Sequence, residues 1–135
     1  MIKYLVTCLA TAGVMLALDL LWLGLIAKPL YQQGIGHLMA ERPNIPAAIA
    51  FYVIFALGLT VFAIVPHSLT GDWSKTLGSA ALFSLVAYAT YDLTNLATLK
   101  QWPLGLSLID MAWGSLISTV AAATGRAVLD RFSAG

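Results

Sequence analysis

Four long apolar runs dominate the chain, separated by short segments that carry charge or proline. The runs cover about residues 2–27, 45–65, 76–99 and 104–125. Each is close to the roughly 20 residues that a helix needs to cross a hydrocarbon core about 30 Å thick. We therefore predict an all-α fold, an integral membrane four-helix bundle, in which residues 1–135 form a single transmembrane domain.

The connection between the first two runs has a pattern of its own. Apolar residues between Leu30 and Met39 recur on one face of a helix, and polar residues such as Gln33 and Glu41 lie towards the other. This pattern predicts a short interfacial helix. The remaining connections are short, so consecutive runs should pack as antiparallel neighbours.

Composition excludes several classes of function. Hydrophobic residues make up 60% of the chain and charged residues 10%, whereas soluble domains average roughly 25% charged residues. The net charge is only +1 and the basic residues are scattered, which argues against nucleic-acid binding. The single cysteine, Cys8, lies in an apolar run, where a buried, unreactive thiol is expected.

Basic residues are divided unevenly between the two sides of the predicted bundle. The side with both termini carries four and the other side three: Lys3, Lys75, Arg126 and Arg131 against Lys28, Arg42 and Lys100. Because Lys and Arg collect on the cytoplasmic side of membrane proteins, we expect both termini to be cytoplasmic.

Three of the runs contain a carboxylate, which is costly inside a membrane. Asp19, Asp92 and Asp110 belong to the first, third and fourth runs. Counting from the run boundaries at 1.5 Å per residue places each roughly 10–14 Å from the same membrane face. Tyr52 of the second run reaches the same level. The four runs therefore offer polar groups to one shared layer.

Aromatic and amide side chains accompany these carboxylates. Tyr91 and Asn95 lie on the same helical face as Asp92, and Trp22 and Trp113 each follow an aspartate by three residues. The predicted ligand-binding residues are Asp19, Trp22, Tyr52, Tyr91, Asp92, Asn95, Asp110 and Trp113.

Apart from Lys3 at the very start of the first run, no Lys or Arg lies within a run, so none is available to neutralise the layer. One ionised Asp at a helix centre costs about 2.5–3.5 kcal/mol on insertion scales, so three unpaired charges are not expected. Protonation of some carboxyls, together with a wet cavity open towards Lys28 and Lys100, resolves this cost. A protonated Asp can also join two helices by a hydrogen bond, and for any single Asp that explanation is as good as a functional one.

Other motifs point to packing or are missing. Gly114, Ser118, Ala121 and Gly125 form a small-residue ridge, which is typical of helix packing in membranes. The spacing of His and carboxylates matches no metal motif, and the sequence lacks nucleophile elbows and phosphate-binding glycine loops. We predict no metal and no cofactor.

Three short motifs resemble a known family, the DUF2177 predicted membrane proteins, which are small bacterial four-span proteins of unknown function. The motifs are Asp19-x-x-Trp22-Leu-Gly24, Tyr91-Asp92-Leu-Thr-Asn95-Leu-Ala-Thr98 with Trp102-Pro103, and Asp110-x-x-Trp113-Gly114. The resemblance implies four spans in a bacterial inner membrane and importance for these positions. It implies no reaction.

Three functional hypotheses follow. The first is an acidic and aromatic pocket, partly covered by residues 31–41, that binds a small amphiphilic or lipid-like ligand. The second is a proton-coupled carrier, expected to be a homo-oligomer because four spans leave little room for a complete pathway. The third is a structural or regulatory subunit whose aspartates join helices or meet a Lys or Arg of a membrane partner. Whether a reaction is catalysed stays open, and Asp92 would be the general acid or base.

Overall fold

A computed structural model describes residues 1–134, and every regular element in that range is helical, as predicted. The first half contains three helices and their terminal turns: α1 (Ile2–Leu21) with a π-helical turn (Trp22–Ile26), α2 (Lys28–Ile35) with a 3-10 turn (Gly36–Leu38), and α3 (Ile45–Leu59) with a π-helical turn (Thr60–Ile64) and a 3-10 turn (Val65–His67). The second half contains α4 (Trp73–Thr98) and α5 (Leu104–Ala134).

Side-chain caps and a tight turn define the helix ends. Asn44 accepts a hydrogen bond from the Ala47 amide at 3.1 Å, which starts α3. Asp72 accepts one from the Ser74 amide at 3.1 Å, which starts α4. These bonds satisfy amides that have no partner inside the helix. Between α4 and α5, Gln101 adopts a left-handed φ of 61°, and this reverses the chain.

The long helices place small and polar residues inside and large apolar residues outside. On α1 the buried residues recur every four positions: Thr7, Thr11, Met15 and Asp19. Leu9 and Leu20 on the same helix are 62% and 64% exposed. This arrangement is the reverse of a soluble helix and suits a surface that contacts lipid.

α5 lies at the centre of the packing, against both α1 and α4. α3 packs on α1, and its C-terminal π-helical turn packs on α4. The predicted small-residue ridge of α5 is confirmed, because Gly114, Ser118, Ala121 and Gly125 are all buried. A β-carbon on Gly114 would lie 2.5 Å from the Tyr88 ring, so the close approach of α4 and α5 requires glycine there.

Within residues 1–134, three helices are long and apolar enough to cross a membrane by length and composition: Ile2–Ile26, Ile45–His67 and Leu104–Ser133. The third predicted run lies in α4, which is 26 residues long but falls outside this set. Its buried positions include Thr76, Ser84 and Asp92, and these polar residues lower its average hydropathy.

The end of the last run differs from the prediction. The sequence places Arg126 just outside this run, whereas α5 continues through it to Ala134 and buries its side chain completely. The Arg126 guanidinium donates to the Asp72 carbonyl at 2.9 Å and to Thr76 Oγ1 at 3.1 Å. It pairs with Asp130 at 3.3 Å and lies 4.5 Å from the centre of the Trp73 ring. These partners at the start of α4 explain why the arginine is drawn inside.

Candidate functional site

A cavity of about 510 Å³ lies at the end of the helices opposite Arg126. Its walls are mostly aromatic and apolar, with two carboxylates. The lining residues are Asp19, Trp22, Leu23, Tyr31, Ile35, Phe51, Tyr52, Ala87, Tyr88, Tyr91, Asp110 and Trp113. They come from α1 and its π-helical turn and from α2, α3, α4 and α5.

Asp19 joins three helices in the wall of this cavity. The Tyr52 hydroxyl of α3 donates to Asp19 Oδ2 at 2.6 Å. The Trp113 indole of α5 donates to Asp19 Oδ1 at 3.1 Å. Each carboxylate oxygen therefore accepts one bond from a neutral donor, an arrangement that is compatible with an ionised carboxylate. The predicted polar layer is present at this point.

Two stacked indoles line the cavity. Trp22 and Trp113 stack with their ring centroids 4.3 Å apart and their planes 13° from parallel. Trp22 begins the π-helical turn that follows α1. Such turns are rare and frequently occur at functional sites, and here the turn places an aromatic side chain in the wall.

α2 covers the cavity and is fixed by Tyr31. The Tyr31 hydroxyl donates to Asp110 Oδ1 at 2.5 Å and accepts from the Trp22 indole at 3.4 Å. Burial, reinforced by the bond to Asp110, raises the pKa of the Tyr31 hydroxyl, so it remains a neutral donor. A β-carbon on Gly34 would lie 3.0 Å from Pro103, and this close contact seats α2 on the start of α5.

Asp92 lies outside the lining of the cavity. It is 1% exposed, and neither carboxylate oxygen has a hydrogen-bond partner within residues 1–134. Its main-chain carbonyl accepts a bond from Ser107 Oγ at 3.3 Å, and Ser107 in turn accepts one from the Trp102 indole at 2.7 Å. The carboxylate is close enough to interact with Asp110, which does line the cavity.

The structure brings together six of the eight predicted ligand-binding residues at the cavity: Asp19, Trp22, Tyr52, Tyr91, Asp110 and Trp113. Asp92 and Asn95 are not lining residues, and Asn95 is half-buried. The side chain of Asp92 therefore has no direct access to the cavity, which leaves its predicted role as general acid or base without a contact to a ligand.

Sequence reasoning missed Tyr31 and Tyr88 as lining residues. Tyr31 lies on the predicted interfacial helix and was not among the predicted ligand-binding residues. Tyr88 lies one helical turn before Asp92, so helical spacing could have included it. The signal for Tyr31 was the prediction that its segment covers the pocket.

The arrangement offers hydrogen-bond acceptors and aromatic faces rather than a metal site. Among the described residues, no group of three or more His, Cys, Asp or Glu side chains is placed to hold a metal ion. His37, which the sequence places above the carboxylates, is exposed.

Comparison with known families supports the membrane assignment. Neither curated proteins nor solved structures give a match. A family model described as "Predicted membrane protein (DUF2177)" matches residues 4–127, a range that includes every lining residue of the cavity. The chain therefore belongs to this family and is a membrane protein of unknown function.

Proposed function

We propose that the protein crosses a bacterial inner membrane four times, with α4 as the third span in chain order, in addition to the three helices that meet the length and composition criteria. At 1.5 Å per residue, the 26 residues of α4 extend about 39 Å, which exceeds a hydrocarbon core of about 30 Å. Leu82 and Val86 on its outer surface are 64% and 58% exposed. Its Thr76, Ser84 and Asp92 side chains are buried against the other helices, where they avoid lipid. The exposed Thr90, Thr94 and Thr98 donate their hydroxyls to main-chain carbonyls one turn earlier in the helix.

The orientation follows from the basic residues. The side with both termini has four and the other has three. The rule that places basic segments in the cytoplasm acts during insertion, so Arg126 counts even though it is buried in the folded protein. We propose cytoplasmic termini, and reporter fusions at the C-terminus would show the opposite side if this is wrong.

We further propose that the cavity binds a small amphiphilic or lipid-like ligand. The observation that carries this proposal is a space of about 510 Å³ with aromatic walls and a few converging polar groups. Ligand pockets in proteins typically have about 300–1,000 Å³ and this composition. Aromatic and apolar walls suit an alkyl chain, while Asp19 and Asp110 suit a polar head.

The position of α2 supports the same proposal. A helix that is held over the cavity by Tyr31 can separate a bound head group from bulk water. Gly36 and the extended Met39 follow it, so the cover is joined to α3 by residues outside the long helices. Entry of a ligand would require α2 to move or would occur between the helices from the membrane.

The burial of Asp92 weighs against a subunit in which a partner's Lys or Arg neutralises the carboxylates. Both oxygens of Asp92 are inaccessible in the single chain, so a partner side chain could not reach them without a rearrangement. The carrier hypothesis uses the same cavity, and it additionally requires net movement of the ligand across the membrane.

A cavity-filling variant tests the binding proposal. Ala87 lines the cavity and Val86, its neighbour on α4, is exposed on the outer surface. We expect native mass spectrometry of gently extracted protein to detect a bound amphiphile in the wild type. Ala87→Trp should lower its occupancy about tenfold, a loss of roughly 1.4 kcal/mol in binding.

Val86→Trp is the matched control, because it adds the same side chain outside the cavity and should keep the ligand. Equal occupancy in both variants, or a wild type with no bound amphiphile, would overturn the proposal. Flux of the bound compound in proteoliposomes that responds to a pH gradient would favour a carrier.

A further inference from the structure

We propose that the ligand of this cavity carries a positively charged ammonium head group on an apolar tail. This inference rests on the proposed function and specifies its ligand class. It follows from the charge of the cavity wall, from the aromatic faces beside the carboxylates and from the lack of a basic side chain that neutralises them within the described residues.

The wall is acidic and contains no cation. Asp19 and Asp110 are its charged lining residues, and the lining includes no Lys, Arg or His. Within residues 1–134, the one ion pair that involves Lys or Arg joins Arg126 to Asp130 at the other end of the helices. A cationic ligand would supply the missing charge, because a carboxylate in a nonpolar environment is favoured by an opposite charge within about 4–6 Å.

The hydrogen bonds to Asp19 and Asp110 allow both carboxylates to bind a cationic head group. Their donors are the neutral Tyr52, Trp113 and Tyr31 side chains. These donors orient the carboxylates without cancelling their charge. Each carboxylate oxygen has about two acceptor sites, so Asp110 can accept further bonds after the one from Tyr31.

The aromatic residues provide the second part of a cation site. Trp22 and Trp113 lie in the wall beside Asp19, and Tyr31, Tyr88 and Tyr91 also line the cavity. A cation over the face of Trp or Tyr within about 6 Å is attracted by the negative face of the ring, and aromatic enclosures are used for quaternary ammonium groups. An anionic head group would meet repulsion from the same rings and carboxylates.

One nearby feature is consistent with this charge preference. Lys28 begins α2 but its side chain is exposed, and an exposed charge is screened by salt over about 8 Å at physiological ionic strength. The local balance at the cavity therefore favours a cation.

Matched single-chain amphiphiles test the charge of the head group. Dodecyltrimethylammonium, dodecyl sulfate and dodecanol have the same tail and a positive, negative or neutral head. We would add each to the protein in neutral dodecyl maltoside micelles and measure occupancy by native mass spectrometry. We expect the cation to bind about tenfold more tightly than the neutral probe, and the anion more weakly than both.

Asp110→Asn should lower the affinity for the cation much more than the affinity for dodecanol, and so remove most of the preference for the cation. The fold should persist because Asn can still accept the Tyr31 hydrogen bond. Asp72→Asn is the control. Asp72 is exposed, and the hydrogen bond from Ser74 lowers the pKa of its carboxyl, so the variant removes a full charge far from the cavity.

The outcomes separate the two proposals. Equal binding of all three probes, each reduced by Ala87→Trp, would overturn the cation inference and keep the amphiphile site. A preference for the cation that survives Asp110→Asn and Ala87→Trp would place it on the outer surface and overturn the inference as well. If none of the probes responds to Ala87→Trp, the site itself is wrong.

Discussion

The two ends of the protein each contain buried polar groups, but they satisfy them differently. At one end, Arg126 is completely buried, and its donors reach Asp130, Thr76 and the Asp72 carbonyl. The Trp73 ring covers the guanidinium. At the other end, Asp19 and Asp110 accept hydrogen bonds from neutral donors only, and a cavity of about 510 Å³ lies against both. The buried Asp92 carboxyl has no hydrogen-bond partner within residues 1–134.

The difference shows how a buried charge can be assigned to stability or to binding. A charge whose partners come from its own chain and leave no space joins structural elements together. A buried charge that lies beside a cavity and has no opposite charge in its own chain is a candidate for binding a ligand that supplies this charge. By this criterion the Arg126 end holds α5 to the loop before α4, and the Asp19 end is the candidate for a ligand.

The largest expected effect is from removing the arginine. Arg126→Met keeps much of the apolar volume but removes the donor to Thr76 and the cation beside Asp130, which keeps only its bonds from the Ser68 hydroxyl and the Leu69 amide. We expect the free energy of unfolding to fall by roughly 2–3 kcal/mol, less than for a fully buried pair because Asp130 can regain water. Unfolding in mixtures of dodecyl maltoside and dodecyl sulfate would measure the change.

Arg131→Met provides the matched control, since Arg131 is exposed on the same helix, and it should alter stability by less than about 0.5 kcal/mol. The folded Arg126→Met protein should still bind the amphiphile at the opposite end. Loss of binding at unchanged stability would contradict the division of roles between the two ends.

The same comparison explains what the sequence could and could not predict. The apolar runs predicted the helices because about 20 consecutive apolar residues specify length and environment locally. Counting residues along straight helices placed Asp19 and Tyr52 in one layer, and they are hydrogen-bonded at 2.6 Å. Depth along a helix depends only on rise per residue, so it can be read from sequence.

The sequence did not predict towards which neighbour a side chain points around its helix, nor which loop residues it contacts. Asp92 is on the expected helix, yet its carboxylate is outside the cavity lining, because small rotations of α4 decide what it contacts. Arg126 looked like a residue of the aqueous boundary, but its partners Asp72 and Thr70 come from a loop whose path depends on tertiary packing. Tyr31 lines the cavity because the path of the segment between α1 and α3 also depends on tertiary packing.

An intermediate effect on stability is expected at Gly114, where α5 approaches α4 closely beside the cavity wall. A β-carbon on Gly114 would lie 2.5 Å from the ring of Tyr88, which lines the cavity. Gly114→Ala should therefore displace this ring and cost about 1–3 kcal/mol of stability. Amphiphile binding should weaken too, and both can be measured on the same preparation.

Gly105→Ala adds the same methyl group to α5, at an exposed position with no neighbouring atom within 4 Å. It should be neutral or slightly stabilising, since alanine favours a helix over glycine. Equal effects of the two variants would mean that the contact between α4 and α5 is looser than the structure shows, and the wall of the cavity would then not depend on Gly114.

The smallest effect concerns two buried serines on α5 that differ in their partners. Ser107 Oγ accepts from the Trp102 indole at 2.7 Å and donates to the Asp92 carbonyl, whereas Ser118 Oγ has no partner within residues 1–134. Ser107→Ala leaves the indole without its acceptor and should cost about 1–2 kcal/mol. Ser118→Ala removes a hydroxyl without a hydrogen-bond partner and should leave the free energy of unfolding unchanged or raise it. A larger loss from Ser118→Ala than from Ser107→Ala in the same unfolding assay would show that the Ser118 hydroxyl does have a hydrogen-bond partner inside the folded protein. The absence of a hydrogen-bond partner in the structure would then be a poor guide to the energy of a buried polar group. This would equally weaken the argument that the carboxylates of the cavity lack a partner from their own chain.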